Sequence, residues 1–234
     1  MKLTALALAA AVSSVASATF VEYYTVKTQV SNSGVNLDVY VLYARFNGAT
    51  DTVLNAFNFN RTDGAATNLF YHKDNAYLNS GVLMKEYGTW NPSQSGSITL
   101  NRPFDSFLTI GATATPTNTT NADPSWTGAD SWNRPDVPNG SNVGWFNSNP
   151  PNNQGRVGVG AGAAQNPVDS VRLGQFVMDR DAAASTWNLK IGYNNGVAGS
   201  PVQFAETTFT LGVVPAPGAI ALLGLAGLAG RRRR

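Results

Sequence analysis

Acid–base chemistry in this chain has few places to start. His72 is the only histidine, so the expectation is that a His-based zinc site is excluded and that any Ser-His-Asp arrangement must rest on this one residue. It stands in Phe70-Tyr71-His72-Lys73-Asp74 with no Gly-x-Ser-x-Gly elbow beside it, and it reads as a structural or exposed histidine at a strand end. Paired carboxylates for glycoside hydrolysis would come from Glu22, Glu86, Glu206 and eleven aspartates, and no pair stands out. Asp179-Arg180-Asp181 starts like a calcium loop but lacks the later ligands and the bidentate Glu. Cysteine is absent, which removes disulfides, thiolate metal sites and thiol nucleophiles together. The expectation is no catalytic residue, no metal and no cofactor.

Binding chemistry has a better candidate. Between Ala112 and Pro167 runs a stretch rich in Asn, Pro, Gly and Thr that carries Trp126, Trp132, Trp145 and Phe146. Pyranose rings stack on indole faces through their C–H bonds, and Asp123 and Asp130, with Asn121, Asn133 and Asn147, would hydrogen-bond the hydroxyls. The competing reading is that these aromatics bury one another as the small core of a long loop. Gly158-Val159-Gly160-Ala161-Gly162-Ala163 formally fits a dinucleotide fingerprint. It follows Pro150-Pro151-Asn152-Asn153 rather than a strand, and Pro167 leaves no helix to hold a phosphate, so it reads as a flexible glycine segment.

The elements that must position these residues read as β-sheet. Of 234 residues only 13% are charged, and the abundance of Gly, Asn, Ser and Thr favours turns and strands over long surface helices. Phe20, Tyr24, Val26 and Val30 alternate in one segment, and Val35, Leu37, Val39, Val41 and Tyr43 in the next, around Ser31-Asn32-Ser33-Gly34. That pattern predicts a hairpin. A second hairpin is predicted where Trp187, Leu189, Ile191 and Tyr193 precede Asn194-Asn195-Gly196 and a strand from Val202 to Leu211. Further strands are expected near Asp51–Phe59, Asn68–His72, Ser97–Leu100, Ser106–Ala112 and Ser170–Met178. Short strands without βαβ rhythm imply an all-β fold, an antiparallel β-sandwich or jelly roll with one long Asn/Gly/Pro-rich loop.

Both ends carry different signals. Lys2 precedes an apolar run from Leu3 to Val12, and Ala16-Ser17-Ala18 supplies the small residues a signal peptidase reads, with a cut expected after Ala18. At the other end, Val214-Pro215-Ala216-Pro217-Gly218 leads into an apolar stretch to Gly230 and then Arg231, Arg232, Arg233 and Arg234. Thirteen helical residues span only about 20 Å, short of a hydrocarbon core of roughly 30 Å. Arginine snorkelling and bilayer thinning would let the helix cross, with the four arginines held as a cytoplasmic stop. Five of the 16 basic residues lie in these two segments, so residues 19–217 keep 11 against all 14 acidic residues, a formal charge of −3. Nothing there suggests nucleic acid, which needs a concentrated basic face.

In order, spacing and terminal arginines, the segment Val214 to Arg234 resembles the PEP-CTERM sorting signal of bacterial surface proteins, which exosortase-type membrane proteases recognise. Ala216 stands where the family's signature has Glu, so the resemblance assigns no cut site. The other reading of this segment is a plain C-terminal membrane anchor without processing. Pro103 to Gly111 and Gly144 to Ser148 are loosely similar to exported domains that precede such tails, a likeness that implies no activity.

The expected organisation is a signal peptide at 1–18, an extracellular β domain at 19–213 and a sorting signal at 214–234. The resemblance implies export, handling by signal peptidase and an exosortase-type protease, transient or lasting inner-membrane anchoring, and a place at the cell surface. The expected role is a noncatalytic structural or interaction protein of the surface or extracellular matrix. The alternatives are a carbohydrate-binding module contacting extracellular polysaccharide through Trp126, Trp132 and Trp145, and a secreted glycan hydrolase.

Overall fold

A computed structural model describes residues 18–64, 69–74, 80–85, 88–123, 143–158 and 166–213. Ala16, the sorting motif, the apolar tail helix, the arginine cluster, and Trp126, Asp130 and Trp132 lie outside the described residues. Among the described residues the strands are β1 (Phe20–Asn32), β2 (Val35–Phe46), β3 (Thr52–Arg61), β4 (Tyr71–His72), β5 (Met84–Lys85), β6 (Phe107–Leu108), β7 (Thr120–Ala122), β8 (Trp145–Asn147), β9 (Ser170–Asp179), β10 (Ser185–Asn194) and β11 (Gln203–Leu211). Short 3-10 turns at Pro92–Gln94, Arg102–Phe104 and Pro150–Asn152 are the helical elements among them, and none is long and apolar enough to cross a membrane.

Both expected hairpins form. Ser33 and Gly34 adopt φ of 52° and 79°, the left-handed pair that joins β1 to β2 through two residues in register with strand twist. β10 and β11 pair from Ser185↔Leu211 to Tyr193↔Gln203. The hairpins then go to different sheets. One sheet has the order β1-β2-β9-β6 and the other β11-β10-β3-β8-β7, every neighbouring pair antiparallel. The fold is therefore an all-β antiparallel sandwich.

Alternation explains which faces meet. Trp187, Leu189 and Ile191 of β10 are fully buried, while Asn188 and Lys190 between them face outward. Leu42, Ala44 and Phe46 of β2, Leu173, Phe176 and Met178 of β9, and Val53, Ala56 and Phe59 of β3 complete the inner layer. A register shift between Leu42 and Tyr43, opposite Gly174 and Arg172, changes the phase of β9, so that both Leu173 and Phe176 point inward. Each such side chain contributes about 1.5–3 kcal/mol on burial. Aromatic rings knit the centre, with Phe59 edge-on to Trp145 at 5.6 Å, stacked on Trp187 at 5.0 Å and tilted against Phe176 at 5.6 Å.

The four-stranded sheet is covered on its other face as well. Leu37, Val39 and Val177 form a second small core under Tyr71, Leu83 and Phe104. The two-residue strands β4 and β5 supply that cover, and Asp179 of β9 clamps them down. It accepts a hydrogen bond from the Tyr71 hydroxyl (2.7 Å) and pairs with the Lys85 ammonium. Burial and the adjacent Asp179 charge push the Tyr71 hydroxyl up to about 12.

Two sequence expectations change. Ser97–Leu100 is a turn, not a strand. Its Ser97 carbonyl accepts from the Asn101 and Arg102 N–H groups, and Ile98 and Leu100 stand exposed. Four alternating residues without a partner strand satisfy their backbone locally instead. The stretch Ala112–Pro167 is also not strandless, because β7 and β8 form within it and join the five-stranded sheet. Its Asn and Thr residues build a buried polar staple around Gln154. The Gln154 amide donates to the Ile110 carbonyl (2.7 Å) and the Asn118 side-chain oxygen (3.0 Å), and its oxygen accepts from the Thr119 N–H (3.0 Å). Buried amides of this kind must find partners, and here each does.

Candidate functional site

The outer face of the five-stranded sheet carries an open groove of about 590 Å³. Its floor comes from the outward positions of three strands: Leu54, Asn55 and Phe57 on β3, Phe146 on β8 and Phe204 on β11, with Asp123 just after β7 and Pro150 at the rim. Gly192 of β10 lies directly across from Phe204. A Cβ there would come within 3.2 Å of the Phe204 ring and 2.3 Å of the Asn55 side-chain oxygen. That missing side chain leaves room over the strand for the edge of the Phe204 ring and the Asn55 side chain.

The aromatic floor is held by charge. The Lys190 ammonium sits 5.5 Å from the Phe57 ring centroid and 5.7 Å from that of Phe204, a cation–π arrangement that fixes both rings. Beside it the Glu206 carboxylate accepts from the amides of Asn188 (3.0 Å) and Asn58 (3.2 Å). Those hydrogen bonds, with Lys190 nearby, hold the Glu206 carboxyl below its ordinary value. The face thus offers apolar ring surface next to fixed donors and acceptors, the combination that concave ligand sites use.

Of the residues read as sugar-binding, Asp123, Trp145 and Asn147 all border this groove, but Trp145 does not serve as expected. Trp145 is 1% exposed. Its indole N–H donates to the Thr109 carbonyl (2.9 Å), and its ring meets Phe59 edge-on. Strand alternation is the reason, because Trp145 and Asn147 of β8 point into the sandwich and Phe146 between them points out. Phe57 and Phe204, which no loop-based argument singles out, complete the aromatic surface. Their signal was the outward phase of β3 and β11 once the inward residues of those strands were known.

His72 is buried, not exposed, at the end of β4, with its ring edge-on to Trp90 at 4.8 Å between centroids. The structure brings two carboxylates to it, Asp74 two residues on and Asp105 after the Arg102–Phe104 turn. All three are fully buried. Neither carboxylate lines the groove, and a pair sealed from solvent cannot flank a glycosidic bond. The carboxyl of Asp38 forms another buried charge site. Burial acts to raise it, but the Lys27 ammonium at 2.7 Å and the Asp181 N–H at 3.0 Å outweigh that and hold it below the usual carboxylate range.

Fold and groove together define the class, an antiparallel β-sandwich with an aromatic-lined open sheet face. No protein-family model, no curated protein and no solved structure matches this chain.

Proposed function

We propose that this chain is an exported, noncatalytic protein of the cell surface or extracellular matrix, and that the outer face of its five-stranded sheet takes extracellular polysaccharide. The observation that carries the reading is the groove itself. Phe57, Phe146 and Phe204 bring their rings to one open surface, Phe57 and Phe204 edge to face, with Asn55 and Asp123 beside them to meet hydroxyl groups. An open face suits a chain-like ligand that lies across it, and aromatic surface contributes much of the binding energy in such contacts.

The export half of the proposal rests on the Lys2-to-Ala18 leader and the PEP-CTERM-like tail from Val214 to Arg234. The folded strands fit between the two expected processing regions: β1 begins at Phe20 and β11 ends at Leu211. Signal peptidase and an exosortase-type protease are the proposed processing partners. Intact-mass measurement of protein from cells and medium tests this half. A chain starting at Thr19 and ending near Pro217 supports it, and recovery of membrane-bound chain with Arg234 intact replaces sorting with plain anchoring.

The ligand half is tested by affinity electrophoresis and a glycan array with the full chain. Retardation by a polysaccharide that Phe146→Ala and Phe204→Ala each weaken at least tenfold supports the groove. Equal retardation of both variants and the wild type moves binding off this face.

A further inference from the structure

We infer that His72, Asp74 and Asp105 form a buried three-donor site for a divalent first-row transition ion, with Zn²⁺ as the best-fitting representative and a second carboxylate oxygen or a water completing four-coordination. One ligand atom from each residue lies within 4.8 Å of the others, and all three side chains are fully buried. The second observation is a set of atoms left without hydrogen bonds in that same spot. Neither imidazole nitrogen of His72 has a hydrogen-bond partner, nor does the Asp105 Oδ2. His72 Nδ1 lies 3.4 Å from the Asp105 Oδ1, aimed into the cluster but not aligned as a hydrogen bond. Buried polar atoms of folded proteins are paired with very few exceptions, and a cation held by one His72 nitrogen and the Asp105 Oδ2 would satisfy two of these three atoms.

One oxygen of each carboxylate is oriented by backbone, as ligands require. The Lys73 N–H donates to Asp105 Oδ1 (3.0 Å), and the Thr89 N–H donates to Asp74 Oδ2 (2.8 Å). The Lys73 ammonium is turned away, bonded to the Asn32 side-chain oxygen and lying over the Phe104 ring. Asp105 pairs with no lysine or arginine among the described residues. Gly88 backs the site, since a Cβ there would fall 2.2 Å from the His72 Cβ and 2.8 Å from Asp74 Oδ2.

The donor set selects the ion. One imidazole nitrogen and two carboxylate oxygens form a borderline set that suits Zn²⁺, and also Mn²⁺ or Fe²⁺, whereas calcium sites are all-oxygen. Ligand atoms around tetrahedral zinc stand about 3.3 Å apart at bond lengths of about 2.0–2.1 Å, so modest side-chain rotation closes the cluster. Full burial marks a structural role. The site ties β4, the segment after it and the Arg102–Phe104 turn into one body, which accounts for how strands of two residues each hold their place over the four-stranded sheet.

The test uses untagged full-length chain, stripped with chelator and titrated with Zn²⁺ by calorimetry, followed by X-ray absorption at the zinc edge. The expected result is one equivalent of Zn²⁺ with one imidazole in its shell. Because His72 is the only histidine, that imidazole assigns the site without any variant. Asp74→Asn and Asp105→Asn, checked for folding by circular dichroism, are expected to weaken binding at least tenfold, and exposed Asp169→Asn to leave it unchanged. Failure of the wild type to take up one equivalent of Zn²⁺ or Mn²⁺, or a shell of oxygen alone, overturns the assignment.

Discussion

Replacing Trp145 with Phe separates a core role from a ligand-stacking role in one residue. The substitution removes the indole N–H that donates to the Thr109 carbonyl at 2.9 Å and leaves that buried acceptor unmet, a loss of about 1–3 kcal/mol. It also shortens a ring packed edge-on against Phe59. A reduction of roughly 40 Å² in buried apolar area adds about 1 kcal/mol. Together these give a loss of about 2–4 kcal/mol, which for a domain of this size lowers Tm by roughly 5–15 °C. Thermal unfolding by circular dichroism reads the stability, and affinity electrophoresis on the same sample reads polysaccharide binding. Trp145→Phe is expected to lose stability and keep binding, while Phe146→Ala, on the outward position of the same strand, shows the reverse with a stability cost under about 1 kcal/mol. A Trp145→Phe protein that melts with the wild type yet no longer binds would refute the assignment of Trp145 to the core and return it to the ligand.

Three further outcomes are expected. Asp38→Asn destabilises at neutral pH and converges with the wild type in acid. A carboxyl held low in the fold stabilises above its unfolded value near 3.8 and loses that contribution as pH falls through its folded value, so denaturation midpoints at pH 7 and pH 3 check it. Asp51 runs the other way: burial raises its carboxyl in spite of N–H donation from Gly48 and Thr19. A chain with residues before Thr19 therefore loses stability as pH rises through the range above 3.8. In a chain beginning at Thr19 the same nitrogen is an ammonium, and a flatter Tm-versus-pH profile between pH 4 and 6 than in the uncut chain is the expected sign. Gly88→Ala drives a Cβ against the His72 side chain and the Asp74 carboxylate and is expected to cost about 1–3 kcal/mol, seen as a lower Tm and a changed near-ultraviolet tryptophan signal from Trp90.

Legibility followed strand length. The alternating runs of β1, β2, β10 and β11 extend over 9 to 13 residues, long enough for the period of two to set both element and face. β8 has three residues, too few to fix a phase. The choice between Trp145 and Phe146 as the outward aromatic was therefore open until Asn55↔Phe146 and Ala56↔Trp145 were seen to pair. Ser97–Leu100 shows the opposite error, in which alternation alone suggests a strand although nothing lies beside it to accept its hydrogen bonds. His72 and Asp74 sit two apart and carry a faint local trace. Asp105 arrives from a turn more than thirty residues later, and only the packing of β4–β5 against the four-stranded sheet brings it in.

The way the two hairpins divide between the sheets also sets the order in which this chain is able to fold. β2 must find β9, joining Arg45 to Ser170 and Leu37 to Asp179, and β3 must find β10, joining Arg61 to Trp187. Each sheet is a ladder whose middle rung waits for residues well over a hundred positions downstream, and high contact order of this kind slows folding. A chain emerging N-terminus first, from a ribosome or a translocation channel, has the β1–β2 hairpin early but closes neither sheet until residues 170 to 194 are out. Almost the whole domain thus stays threadable until its last strands appear, and then both sheets close nearly at once.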